Sequence, residues 1–162
     1  MLSIKGNAEQ PEIQKSWSSG PSILATFYVE RSSIIRINLA LAKRFSCQIF
    51  GNNLQEKILE WMEHYSKKEK CQELPLDFTK LTPFTIKGLL AIQTITMGRQ
   101  ASYGKIAALT GKEKAARAIG NICNRNPFPL VIPCHRVVQR DGSIGGFAYP
   151  LEIKRLLLNF ES

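Results

Sequence analysis

Long apolar runs are missing from this sequence. Nowhere do about 18 apolar residues stand together, the length a helix needs to cross a bilayer. The opening MLSIKGNAEQ likewise has no apolar stretch leading to a cleavage-like site. A soluble, non-secreted protein without a membrane partner is therefore expected, cytoplasmic or, in a eukaryote, nuclear. Cysteine is scarce, and Cys47, Cys71, Cys123 and Cys134 show no paired spacing. With 162 residues, 44% of them hydrophobic, the chain buries an ordinary core and needs no disulfide scaffold. Cys47, Cys71 and His64 also lack the spacing of metal ligands, so no metal is expected. A glycine-rich strand-turn-helix signature is absent too, and no nucleotide, flavin or methyl-donor cofactor is expected.

The last shortage, of acidic residues, is local. Residues 1–80 hold 11 Lys/Arg against 9 Asp/Glu, whereas residues 81–162 hold 11 against 4, so the second half carries most of the net charge of +9. From Arg99 to Arg140 there are eight cations and a single anion, Glu113. That is the footprint of a phosphate-backbone binder, and equally of a solvated face on a basic protein. Charge alone does not choose between them.

What is present divides near residue 80. The first twenty residues, polar and broken by Gly6, Pro11 and Ser18-Ser19-Gly20-Pro21, read as a loosely ordered arm. Ile23–Val29, Ser33–Leu41 and Phe45–Phe50 are β-like runs with short polar breaks, which predicts an antiparallel meander. Asn53 is placed to cap a helix running to about Tyr65, and the polar segment 66–73 reads as a surface connection. The second half reads as helical. Thr82-Pro83 opens a helix closed by Gly98, and Ser102 caps a shorter one ended by Gly111. Lys112–Cys123 predicts a third, making a helix-turn-helix whose second helix bears Lys112, Lys114 and Arg117. The fold class is thus α+β, with an N-terminal structural domain over 1–80 and a mainly helical domain over 81–162.

The chemistry gathers after Asn126. Leu130-Val131-Ile132 reads as an extended run delivering Pro133-Cys134-His135-Arg136 and Val137-Val138. Prolines and β-branched neighbours restrict this backbone, so a nucleophile here is preorganised. A thiol attacks as thiolate and needs a nearby base or positive field, which His135 or Arg136 can supply. By itself a Cys-His pair is also what a buried cysteine beside a surface histidine looks like.

Pro133-Cys134-His135-Arg136-Val137-Val138 resembles the active-site motif of the O6-alkylguanine-DNA alkyltransferase family. Ser102-Tyr103-Gly104, Ala115-Ala116-Arg117-Ala118-Ile119-Gly120 and Asn124-Arg125-Asn126-Pro127 resemble its helix-turn-helix and linking loop. Asp141 through Phe147 resembles its substrate-pocket loop, and a closing helix carries Lys154, Leu157 and Glu161. The likeness is close over about residues 80–162 and holds before them only in layout.

The resemblance implies a ribonuclease-H-like N-terminal half and a winged helix-turn-helix-like C-terminal half acting on duplex DNA that contains O6-alkylguanine, with O4 of thymine as an open second substrate. It implies a monomer whose Cys134 is consumed in one turnover. His135 takes the thiol proton through a water, Glu161 orients His135, and Asn126 braces the loops. Tyr103 gives its hydroxyl to guanine N3. Arg117 fills the stack vacated by the flipped nucleotide, and Ala115, Ala116, Lys112, Lys114 and Arg125 approach the backbone. Val137, Gly145, Gly146, Phe147 and Ala148 form the pocket, with the Cys134 and Val137 carbonyls on the exocyclic amine and the Ala148 N–H on O6. Arg136 is assigned structural ion pairs. Two other classes stay open, a binding-only protein and a cysteine hydrolase using Cys134 and His135; on an extended segment those side chains would diverge.

Overall fold

The computed structural model describes residues 10–162, and places β1 at Ile13–Trp17, β2 at Ile23–Glu30, β3 at Ser33–Leu41 and β4 at Phe45–Phe50. The three expected strands are present. Two expectations are corrected. Ile13–Trp17 is no arm but an edge strand, paired antiparallel to β4 through Ile13↔Ile49 and Trp17↔Phe45; the expectation for residues 1–9 lies outside the described residues. The sheet is not a meander either. Its order is β1-β4-β2-β3, with β2 antiparallel to β3 and β4 parallel to β2. The order is missed because alternation predicts which face of a strand is buried and says nothing about its neighbour, and β1 because its polar, largely exposed residues join the sheet through their backbone.

The alternation itself is clean. Phe45, Cys47 and Ile49 of β4 are buried while Ser46, Gln48 and Phe50 are half exposed. The buried face of the sheet is covered by α1, Gln55–Ser66, through Ile58, Met62 and Tyr65. Asn53 does not cap this helix: it sits at φ 71° and donates to the Arg31 carbonyl at 2.6 Å, and the N-cap position falls to Leu54 without a side-chain bond.

Residues 67–73 lie at the surface as expected, with Cys71 half-buried among them, and the chain turns inward just beyond. Leu74 is buried, and Leu76 runs parallel to β3 at Ile34, with Ile34 N–H on the Pro75 carbonyl at 2.9 Å. In the second half, α2 (Pro83–Gln93) begins as expected, with Thr82 accepting from Thr85 N–H, but ends five residues before Gly98. Ala101–Ser102 (β5) precedes α3 (Tyr103–Leu109), which Ser102 caps by accepting from Lys105 N–H at 3.1 Å. A bond of this kind is worth about 1 kcal/mol. The next helix, α4, spans Ala116–Asn124, so Lys112 and Lys114 lie in the turn before it rather than on it. The residues Lys112–Lys114 have good helix propensity, but the chain leaving Gly111 (φ 84°) is still turning there. The chain closes with β6 (Val137–Val138), parallel to β5, and α5 (Leu151–Glu161), preceded by Pro150.

Candidate functional site

Residues 126–138 form an almost wholly buried path through the second half. Leu130–Ile132 is a turn rather than the expected extended run, with Leu130 at φ 74°. Asn126 holds it: its side-chain oxygen accepts from Phe128 N–H at 2.8 Å and its Nδ2 donates to the Ile132 carbonyl at 3.0 Å. Pro133 then leads into a single 3₁₀ turn, Cys134–Arg136. Here too the extended reading is corrected. Three successive side chains leave a 3₁₀ turn about 120° apart, so Cys134, His135 and Arg136 face three different surroundings.

His135 and Arg136 converge on one carboxylate. His135 Nε2 lies 2.7 Å from Glu161 Oε2, and Arg136 donates from Nε to Oε1 at 2.8 Å and from Nη2 to Oε2 at 3.1 Å. Arg136 Nη1 also donates to the Ile95 carbonyl at 2.6 Å. The Tyr65 phenol donates to Oε2 at 2.5 Å. Burial would raise the Glu161 pKa, but the hydrogen bonds and charges of His135 and Arg136 bring it down to about 2. Burial pushes the His135 imidazole below its ordinary value, with Arg136 and Lys154 adding to the effect against Glu161. Both shifts run toward a neutral imidazole beside an ionised carboxylate. Nδ1 of His135 has no hydrogen-bond partner among the described residues.

Cys134 is 2% exposed, and burial raises its thiol pKa, opposed by Asn126 as a donor and by the Lys154 charge. Lys154 is itself fully buried on α5, donating to the Val137 carbonyl at 2.8 Å and the Gly146 carbonyl at 3.0 Å. It thus ties the turn to the loop 141–149. That loop carries Gly145 at φ 71°, where an added Cβ would stand 2.9 Å from the Tyr103 hydroxyl oxygen. Only glycine combines this backbone with that approach. Phe147 packs against Tyr149 with ring centroids 5.9 Å apart, and Ala148 is exposed.

A cleft of about 1100 Å³ opens beside the turn, lined by Tyr103, Ala116, Arg117, Gly120, Arg140 and Gly146 among others. Arg117 is exposed at its rim and Tyr103 half-buried, with a phenol pKa raised to about 12 by burial and by Cys123 and Cys134. Cys134 is buried and does not line the cleft. Lys112, Lys114 and Ala115 sit around the corner on the α3–α4 turn, and Arg125 is exposed at the end of α4. The sequence residues thus fall into a buried cluster and an exposed rim. Sequence reasoning gave no role to Tyr65 or Lys154. Lys154 left a signal, a lone cation within the buried stripe Ile153, Leu157 and Glu161 of α5; Tyr65 left none, since it looks like any core aromatic of α1.

The family model described as "6-O-methylguanine DNA methyltransferase, DNA binding domain" matches residues 83–162. The probable methylated-DNA–protein-cysteine methyltransferase of Acanthamoeba polyphaga mimivirus is 44% identical over 104 residues, 64% of this chain and 69% of its own length. The constitutive methylated-DNA–protein-cysteine methyltransferase of Bacillus subtilis is 40% identical over 110 residues, 67% of this chain and 66% of its own length. Among solved structures, Mycobacterium tuberculosis OGT in complex with DNA superposes with a TM-score of 0.66 at 26% identity, covering 83% of this chain and 84% of that one.

Proposed function

The chain belongs to the methylated-DNA–protein-cysteine methyltransferase family, and on that premise we propose that it repairs duplex DNA by moving the alkyl group of O6-alkylguanine irreversibly onto Cys134. In this reading residues 1–80 are a ribonuclease-H-like support and residues 81–162 a winged helix-turn-helix-like domain that works as a monomer. An O6-alkyl group inside a duplex is out of reach, so the nucleotide is turned out at a cost of a few kcal/mol. Arg117, exposed at the cleft rim, fills the space it leaves, while Ala115, Ala116 and Gly120 let α4 lie close to the sugar-phosphate backbone. Lys112, Lys114 and Arg125 hold phosphates.

In the pocket the Cys134 sulfur attacks the alkyl carbon. The carbon–O6 bond breaks, and its electron pair leaves on the guanine ring, where the Tyr103 hydroxyl donates to N3. The carbonyls of Cys134 and Val137 take the exocyclic amine, and the Ala148 N–H faces O6. The thiol proton passes through a water to Nδ1 of His135, whose Nε2–H stays on Glu161. Burial disfavours a standing thiolate, so ionisation is coupled to substrate binding and the resting thiol is protected. The thioether formed has no good leaving group, and each molecule acts once.

One observation carries the proposal: His135 Nε2 sits 2.7 Å from Glu161 while Nδ1 has no partner among the described residues, on the same turn as Cys134. Incubation with a methylated-guanine duplex should raise the mass of the Cys134 peptide by one methyl group, saturating at one per protein. Unchanged mass with damage-selective binding would leave a sensor, and turnover of an ester or amide would leave a hydrolase.

A further inference from the structure

Four donors reach the Glu161 carboxylate. Three belong to the turn that carries Cys134, namely His135 Nε2 and two nitrogens of Arg136. The fourth is the Tyr65 phenol, from α1 and 96 residues away in sequence. We propose that Tyr65 is a positioning residue of the alkyl-transfer site: its hydroxyl fixes the Glu161 carboxylate and weakens it as a proton acceptor, and through Glu161 sets the base strength of His135. The inference rests on reading Cys134 and His135 as nucleophile and base.

The ring of Tyr65 is held for this purpose from three sides. It stacks on Trp61 at 5.4 Å and 9° and packs against Phe45 and Phe160 at 5.5 Å each, and it is 1% exposed. A phenylalanine would fill the same space, so the hydroxyl adds only its bond to Glu161. Each donor placed on a carboxylate lowers its proton affinity. A weak carboxylate leaves the proton on His135 Nε2, which keeps Nδ1 as the acceptor, and it stabilises the imidazolium less than a bare one would. Removing the phenol therefore raises the His135 pKa. The other charged or titratable groups facing the pair are Arg136 on the turn, Lys154 on α5 and Cys71 after α1, with Glu69 beside Cys71. Replacing Tyr65 leaves all of them in place.

The chain has two histidines, His64 and His135, so the His135 imidazole is readily assigned by NMR and its titration reads the site directly. Tyr65→Phe is expected to raise the His135 pKa by on the order of half a unit. The acid limb of the Cys134 alkylation rate against pH should move up with it. Incorporating 3-fluorotyrosine at position 65, a stronger donor that keeps the ring, is expected to shift His135 the opposite way and covers the case in which Tyr65→Phe is too unstable to titrate. An unmoved His135 titration with a uniform change in rate would overturn the proposal and leave Tyr65 a packing residue. If wild-type Cys134 accepts no alkyl group at all, the functional reading fails instead, and the His135 titration still decides what Tyr65 does.

Discussion

The carboxylate of Glu161, on the next-to-last residue of the chain, binds the site together through charge. It is 6% exposed and receives His135, Arg136 and Tyr65 at once. Breaking such a buried pair by removing one partner leaves the Arg136 charge uncompensated and costs about 3–5 kcal/mol. Protonation does the same thing reversibly. With a folded-state pKa of about 2 against an ordinary value of 4.5, the group contributes stability above pH 4.5 that is lost as pH falls toward 2. That lowering corresponds to about 3 kcal/mol. His135 has the same sign, since its pKa is lowered by burial: its contribution is complete above about 6.5 and falls away as pH drops through the folded value. Glu161→Gln should therefore be less stable than wild type at neutral pH by about 3 kcal/mol, with the gap closing between pH 4.5 and 2. Urea melts of both proteins across that range would measure it; a gap independent of pH would show that Glu161 is protonated in the folded protein.

At the scale of elements, the open edge of β3 holds the site in place. Beyond Ile34, where the linking segment pairs, the Ile37 N–H donates to the Pro127 carbonyl at 2.8 Å. The Tyr149 hydroxyl reaches the Ile37 carbonyl at 3.4 Å and Asn38 Oδ1 at 3.3 Å. Two active-site loops thus use an edge that would otherwise expose unpaired backbone. Tyr149→Phe removes only the hydroxyl, and the expected outcome is faster amide hydrogen exchange across residues 145–149 with little change, under about 1 kcal/mol, in global stability. Unchanged exchange there would mean that the Phe147–Tyr149 packing alone holds the loop. A second element, α4, presents Arg117 to the cleft. Arg117→Ala should leave reaction with free alkylguanine within about twofold of wild type while slowing duplex repair by about tenfold or more, given that flipping costs a few kcal/mol. Equal losses on both substrates would place Arg117 in the pocket instead. Much of this is legible in the sequence, because Thr82-Pro83, Ser102 and the alternation in β4 are local signals with local causes. The position of β4 beside β2, the 3₁₀ turn at Cys134 and the bond from Tyr65 are set by residues distant in sequence, and no local pattern encodes them. The local motif singles out Cys134 and His135, and Glu161 is reached only through the family resemblance; that His135 and Arg136 meet on one carboxylate is visible only in three dimensions.

Across the whole molecule, chemistry and charge are segregated. The thiol, the imidazole and the carboxylate are buried, so bulk salt reaches them little. Lys112, Lys114, Arg117 and Arg125 are all exposed on the α3–α4 side of the second half, where acidic residues are few. Under the proposed function duplex repair requires both regions, whereas reaction with a free alkylated base requires only the first. Binding to a duplex releases condensed counterions, and the logarithm of affinity falls with the logarithm of salt by roughly 0.9 per phosphate neutralised. The rate of duplex repair under subsaturating protein should therefore drop steeply between about 50 and 200 mM salt, and the rate on free base should stay nearly flat. Replacing Lys112 and Lys114 together by alanine should lower the duplex slope by roughly 0.9 for each phosphate that is no longer neutralised, with the free-base rate unmoved. A slope that survives the double replacement would assign phosphate binding to Arg125 and the remaining cations of the second half; a free-base rate as salt-sensitive as the duplex rate would break the separation itself, since the charge would then act on the chemistry and not on the DNA.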